Sequence, residues 1–90
     1  MDLGILRDEI DEIDGKIVDL YEKRMDICKQ VAEYKIETGK KVFDRTREEE
    51  KIRKVKSQTH NEFNSHGVEE LFEQILSLIH ISEPTRHAQI

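Results

Sequence analysis

Two cations occupy positions of a predicted helix where the surrounding pattern is apolar. Arg24 and Lys35 lie in the stretch LYEKRMDICKQVAEYK and are 11 positions apart. At about 100° per residue, this spacing places them within about 20° of each other on one helix face, about three turns apart. An unpaired cation is costly to bury, so the pattern indicates an acidic partner or an anionic ligand at this face.

A purely structural explanation also exists for each of these cations. Arg24 can extend its head group to water, or pair with a carboxylate from a second helix. Lys35 lies near a predicted helix C-terminus. Lysines are common at such ends, so Lys35 alone is weak evidence for a ligand site. The pattern alone leaves both explanations open beside the ligand hypothesis.

Arg7 precedes Arg24 on the same predicted helix. It lies about 100° around the helix from Arg24 and more than about 25 Å along its axis, so the two arginines of one chain cannot share a site. In an antiparallel dimer, the first turns of one long helix lie beside the later turns of the other. Arg7 is therefore a candidate for a site that two chains build together.

A second polar group lies in the stretch DRTRE, which begins at Asp44. Arg47 and Glu48 are expected to face the same groove as the cations of the first helix. Asp44 and Thr46 are both good cap residues, and Thr46 with Glu49 three residues later predicts a capping box. The stretch therefore predicts the start of a second helix.

One long helix must position the first group of cations. Its apolar residues recur at alternating steps of three and four, which predicts a helix of roughly 35 residues, about 50 Å long. They are Leu3, Leu6, Ile10, Ile13, Ile17, Leu20, Ile27, Val31 and Tyr34. Asp2 can cap its start and Gly39 can end it in a left-handed conformation. One small chain cannot cover so long an apolar face, so the pattern predicts a homodimer.

Two shorter helices should follow a short loop that is basic at its start. The second is predicted over residues 45–57, the third over residues 68–79, and residues 57–67 have the composition of a loop in which Phe63 tucks inward. The predicted fold class is therefore all-α, with a long, a short and a medium helix.

Length and composition limit the possible functions. The chain has 90 residues, 39% of them charged and 36% hydrophobic, and a net charge of -5, which argues against a general nucleic-acid binder. A single cysteine, Cys28, excludes an intramolecular disulfide and a cysteine metal cluster. No leader or long apolar run is apparent. We expect a cytoplasmic protein that binds neither nucleic acid nor membranes.

The chain resembles the all-helical class of chorismate mutases from Leu3 to about Leu78. The resemblance is carried by LRDEIDEID, by LYEKRMDICKQVAEYK, by the basic loop and by VFDRTREEE. The spacings of six residues match the family at once: Arg7, Arg24, Lys35, Asp44, Arg47 and Glu48. The resemblance implies an intertwined homodimer of three-helix chains with two active sites, each completed by an arginine from the long helix of the partner subunit.

The resemblance also implies a reaction and its requirements. The family converts chorismate to prephenate, an isomerase reaction of the shikimate pathway and of aromatic amino acid biosynthesis. This Claisen rearrangement occurs within one molecule and needs no nucleophile, metal or organic cofactor. Positioning of the substrate and stabilisation of the negative charge on its ether oxygen suffice.

The resemblance assigns roles to the matching residues. Arg24 and Arg7 of the partner subunit clamp the substrate carboxylates, since planar guanidinium groups bind carboxylates in a two-pronged way. Lys35 donates to the ether oxygen and to one carboxylate. The implied catalytic residues are Lys35, Arg24 and Glu48.

Further binding residues are implied on the second helix. Arg47 helps to order the side of the pocket that holds the second carboxylate. Glu48, with the backbone near Asp44, receives the substrate hydroxyl. All of these assignments come from the family pattern.

The chain departs from the family after Leu78, where the third helix normally supplies a serine and, four residues later, a glutamine that contacts the ether oxygen. Ile79 and Glu83 stand at these positions, followed by Pro84. Glu83 is either a true variant that binds substrate in its protonated form, as in fungal members, or part of a tail that is not native. The abrupt change of pattern favours a domain over residues 1–78 and a divergent tail over residues 79–90.

Three other functions share parts of this pattern. A regulatory, mutase-like domain would bind chorismate or prephenate without turnover, and an isochorismate pyruvate lyase would use the same fold on a related substrate. A coiled-coil interaction module would also use a long helix. It does not explain Arg24 at an apolar position together with Arg47 and Glu48.

Overall fold

Three helices make up the part of the chain that the computed structural model describes, residues 2–41 and 44–81, with His80 and Ile81 described by their backbone alone. They are α1 (Leu3–Glu37), α2 (Arg45–Ser57) and α3 (Glu62–Ile81). The all-α class and the order long, short, medium are confirmed. None of these helices has the length and apolar character needed to cross a bilayer. The chain divides into two compact units, Met1–Tyr34 and Lys35–Ile90.

The start of α1 is capped as its sequence predicts. The backbone N–H of Gly4 donates to Oδ1 of Asp2 at 2.8 Å, and the N–H of Leu6 donates to the Asp2 carbonyl oxygen at 3.1 Å. These bonds satisfy donors that a helix start otherwise leaves without partners. The predicted pair between Lys16 and Glu12 also forms, at 3.7 Å, on an exposed face.

The apolar stripe of α1 is exposed in the single chain. Leu20 is 66% and Ile13 is 55% exposed, and no residue of α1 is buried. Further exposed apolar residues of this helix are Leu3, Ile5, Leu6, Ile10, Ile17, Val18, Tyr21, Ile27, Val31, Tyr34 and Ile36. Since apolar burial contributes about 25 cal/mol per Å², this face contributes little to the stability of one chain alone.

The end of α1 is a Schellman turn. Gly39 has a φ of 74°, its N–H donates to the Ile36 carbonyl at 3.3 Å, and the N–H of Lys40 donates to the Lys35 carbonyl at 2.8 Å. The hydroxyl of Thr38 also donates to the Lys35 carbonyl, at 3.4 Å. These bonds satisfy the last carbonyls of the helix. The predicted left-handed conformation of Gly39 is confirmed.

The start of α2 is capped by Asp44. Its backbone is extended, its Oδ1 accepts the N–H of Arg47 at 3.1 Å, and its carbonyl accepts the N–H of Glu48 at 3.0 Å. The predicted bounds of this helix are confirmed. The predicted capping box of Thr46 and Glu49 is wrong, because the helix begins directly after Asp44 and Thr46 already lies inside the first turn.

The third helix begins earlier than its sequence suggested. Its first residue is Glu62, so the predicted loop up to Gly67 is wrong over its second half. Asn61 explains the difference, since its Oδ1 accepts the N–H of Asn64 at 2.7 Å and its carbonyl accepts the N–H of Ser65 at 2.9 Å. This cap stabilises a first turn in spite of the helix-interior glycine, which costs about 1 kcal/mol.

Helices α2 and α3 pack against each other and form the core of the second unit. Ile75 is buried in this core, at 7% exposure, and Lys56 of α2 pairs with Glu69 of α3 at 3.3 Å. Phe63 is 87% exposed, so the expectation that it tucks inward is wrong. The helical start explains this result, because a residue 12 positions before Ile75 points about 120° away from the buried face.

Gly39 and Gly67 offer a matched test of the turn, because both are exposed and a Cβ added at either meets nothing within 4 Å. Gly39→Ala places a side chain at a φ of 74° and should lower the free energy of unfolding by about 1 kcal/mol. Gly67→Ala removes a glycine from a helix interior and should raise it by about 1 kcal/mol. Urea denaturation measures both changes, and shifts of the same sign would contradict the assignment of the turn.

Candidate active site

Two of the predicted site residues lie on α1 in the first unit. Arg7 is exposed, whereas Arg24 is half-buried. Nη1 of Arg24 donates to Sγ of Cys28 at 3.5 Å, one helical turn further along. Cys28 is itself half-buried and carries a free thiol. This contact restrains the guanidinium of Arg24 on the face of α1 that the sequence pattern indicated.

Lys35 lies in the second unit and lines an open pocket of about 460 Å³. The pocket follows from the Schellman turn, which brings the chain back beside the last turn of α1. Its lining residues are Lys35, Lys40, Lys41, Asp44 and Arg45. Lys35 is half-buried, and the other four are exposed. Two predicted site residues, Lys35 and Asp44, are thus brought together here.

A second open pocket of about 290 Å³ lies between α2 and α3 and contains the half-buried Glu48. Its lining residues are Arg45, Glu48, Glu49, Ile52, Glu73, Leu76 and Ser77. Arg45 lines both pockets, so the two adjoin at this side chain. Glu48 therefore lies next to the pocket of Lys35, across Arg45.

The first turn of α2 fixes the geometry of three predicted site residues. The Asp44 carboxylate accepts the backbone N–H of Arg47, so one of its oxygens is engaged in capping the helix. Glu48 follows in the first turn, where a negative charge is stabilised by the positive end of the helix dipole. The Arg47 side chain is exposed. The backbone thus holds Asp44 and Glu48 one turn apart at the helix start.

Charge distinguishes the pocket of Lys35 from the rest of the chain. The chain carries a net charge of -5, whereas this pocket is lined by four cations and one carboxylate. Opposite charges about 4 Å apart near a protein surface interact by up to about 4 kcal/mol before screening by salt. Such a pocket can bind a small anion and stabilise negative charge that develops on it during a reaction.

Sequence reasoning missed three residues of this pocket: Lys40, Lys41 and Arg45. The basic start of the loop was visible in the sequence, but nothing in the pattern placed it beside Lys35. That placement depends on the Schellman turn, which returns Lys40 to the Lys35 carbonyl.

The C-terminal site positions are described only in part. Ile79 is half-buried, and α3 continues to Ile81, so the predicted end of this helix at Ile79 is wrong by two residues. At the position where a serine was expected, the isoleucine offers no hydroxyl. Glu83 and Pro84 lie outside the described residues.

Comparison with known families supports one reading of these features. The sequence model of the family described as chorismate mutase type II matches residues 6–82. Comparisons with curated proteins and with solved structures found no match. The family match covers most of the chain, including every described residue proposed for the site, and it confirms the resemblance seen in the sequence. The chain belongs to the type II chorismate mutase family.

Proposed function

We propose that this chain is a chorismate mutase that rearranges chorismate to prephenate, with Lys35, Arg24 and Glu48 as its catalytic residues. The observation that carries the proposal is the cationic pocket around Lys35, in a chain whose net charge is negative. Chorismate carries two carboxylates, so a locally positive pocket matches its charge. The family match independently supports this substrate.

The chemistry makes modest demands on the protein. One carbon–oxygen bond of the substrate ether breaks while a carbon–carbon bond forms within the same molecule, so no atom enters or leaves. Negative charge gathers on the ether oxygen in the transition state. Lys35 donates a hydrogen bond to that oxygen, and a donor of this kind is worth about 3 kcal/mol in other enzymes. Its half-buried position reduces screening by water.

Arginines hold the substrate in its reactive, compact conformation. Arg24 binds one carboxylate, and the restraint imposed by Cys28 lowers the cost of ordering its guanidinium. Arg7 of the partner subunit binds at the same site. Arg47 supports the side of the pocket that faces the second carboxylate. Holding the reacting carbon atoms close together in this way accelerates a reaction within one molecule.

Glu48 receives the substrate hydroxyl. Its side chain is half-buried in the pocket that adjoins the pocket of Lys35, where it can accept that hydroxyl as a hydrogen-bond donor. Asp44 contributes through its backbone and its position, since its carboxylate already accepts the N–H of Arg47.

A second copy of this chain covers the apolar stripe of α1. The stripe runs the length of a 35-residue helix and is exposed throughout the single chain. Its residues repeat at the spacing of helices that pack along their length. An antiparallel arrangement of two such helices also brings Arg7 of the partner subunit to Arg24, which explains why the two lie so far apart in one chain.

Arg24→Ala tests the enzyme assignment. It should lower chorismate turnover by about 100-fold or more, because a charge that orients the substrate is lost. Lys29→Ala, which removes an exposed cation from the same helix, is the control and should leave turnover unchanged. The assay follows prephenate formation. Turnover of isochorismate in place of chorismate would indicate the lyase, and chorismate binding without turnover would indicate a regulatory domain.

Mixing two inactive variants tests the shared site. Arg7→Ala and Arg24→Ala chains should together recover about one quarter of wild-type activity if subunits exchange randomly, since half of the dimers are mixed and each mixed dimer has one intact site. Arg24→Ala mixed with the Arg7→Ala/Arg24→Ala double variant is the control and should recover none. Sedimentation should show a dimer at micromolar concentration. Absence of recovery despite proven exchange would place both arginines in one chain's pocket.

Glu83→Gln distinguishes the two accounts of the C-terminal residues. If residues 79–90 are a tail outside the catalytic domain, the variant should keep the wild-type rate at every pH. If Glu83 instead donates to the ether oxygen, its carboxyl must be protonated, so wild-type activity should rise as pH falls and the variant should lose this dependence. Initial rates between pH 5 and 8 decide between these outcomes.

A further inference from the structure

The pocket of Lys35 holds more positive charge than the proposed reaction uses. The reaction assigns roles to Lys35 and to the backbone at Asp44. Lys40, Lys41 and Arg45 add to the positive charge of the same pocket, but the proposed reaction gives none of them a specific contact with the substrate. These three cations therefore call for a separate explanation.

Backbone geometry fixes where Lys40 and Lys41 lie. The bond from the Lys40 N–H to the Lys35 carbonyl, 2.8 Å long, holds the loop against the last turn of α1. Gly39 makes this return possible through its positive φ. Both loop lysines are exposed, whereas Lys35 is half-buried. The pocket thus has an exposed cationic rim and a more protected cation within it.

The lining residues of the pocket come from two parts of the chain: Asp44 and Arg45 from the start of α2, and Lys40 and Lys41 from the loop before it. Arg45 also lines the adjoining pocket, whose walls include three glutamates: Glu48, Glu49 and Glu73. The Asp44 carboxylate is directed to the start of α2, where it accepts a backbone N–H. Lys40 and Lys41 are exposed residues of the loop, so they add positive charge at the open side of the pocket.

The cationic rim changes the electrostatic field that an approaching substrate meets. A dianion that approaches a chain of net charge -5 is repelled on average. A local cluster of cations reverses the field at one opening and can raise association rates by about 10-fold to 1,000-fold, an effect that falls steeply with added salt.

We propose that Lys40 and Lys41 form a capture site for the dicarboxylate substrate at the mouth of the pocket. They bind a substrate carboxylate in the encounter complex, before Lys35 and Arg24 engage the reacting conformation. They therefore increase kcat/KM by favouring binding and leave kcat unchanged. This inference rests on the proposed function, whose substrate supplies the two negative charges.

The Lys40→Gln/Lys41→Gln double variant tests the capture site. At low ionic strength its kcat/KM should fall by about tenfold with kcat unchanged, and its kcat/KM should depend less on salt than that of the wild type. The control is Arg53→Gln/Lys54→Gln, which removes the same charge from exposed positions of α2. The control should stay within about twofold of the wild type, because it changes net charge without changing the rim.

Two outcomes would overturn the capture site. An equal fall in both double variants would show an effect of net charge alone, and a fall in kcat that matches the fall in kcat/KM would place the lysines in the transition state. Absence of wild-type turnover would instead contradict the proposed function. Calorimetric titration with chorismate would then decide the inference: weaker, less salt-dependent binding by Lys40→Gln/Lys41→Gln than by the control supports it, and equal binding refutes it.

Discussion

The carbonyl groups at the end of a helix must find donors, and at the end of α1 the Lys35 carbonyl finds the N–H of Lys40. This bond requires the positive φ of Gly39, a conformation that side chains with a Cβ resist. Because of it, the start of the basic loop lies beside the last turn of α1. The closeness of Lys40 to Lys35 in the pocket follows from this turn.

Much of the fold could be predicted from local signals in the sequence. The bounds of α1 and α2 were predicted from local features of the sequence. These features are the spacing of apolar residues, the cap residues Asp2 and Asp44, and Gly39 at the end of α1. The start of α3 was not predicted, since Gly67 and its polar neighbours have the composition of a loop, while the cap by Asn61 depends on one side chain reaching one N–H. Competition between caps also explains why Asp44, and not Thr46, begins α2.

Two lining residues of the cationic pocket, Lys35 and Asp44, were named from the sequence, whereas the shape of the pocket was not. Arg24 and Lys35 stood out because cations interrupted an apolar pattern. Lys40 and Lys41 did not stand out, because charged loop residues are common and pocket membership depends on the turn between them and Lys35. A spacing pattern can indicate a helix face, but it cannot show which loop folds back onto the end of that face.

The cap of α2 has a consequence for how this family member can change over evolutionary time. Asp44 supplies both a helix start and a negative wall to a cationic pocket. Replacement of Asp44 by alanine would lower the stability of α2 by about 1 kcal/mol. Most substitutions at this position are therefore destabilising, whatever their effect on catalysis. Asparagine caps almost as well and carries no charge. A single-residue route therefore exists by which the pocket can become more positive while its scaffold is preserved, and drift toward other anionic substrates can begin at that position.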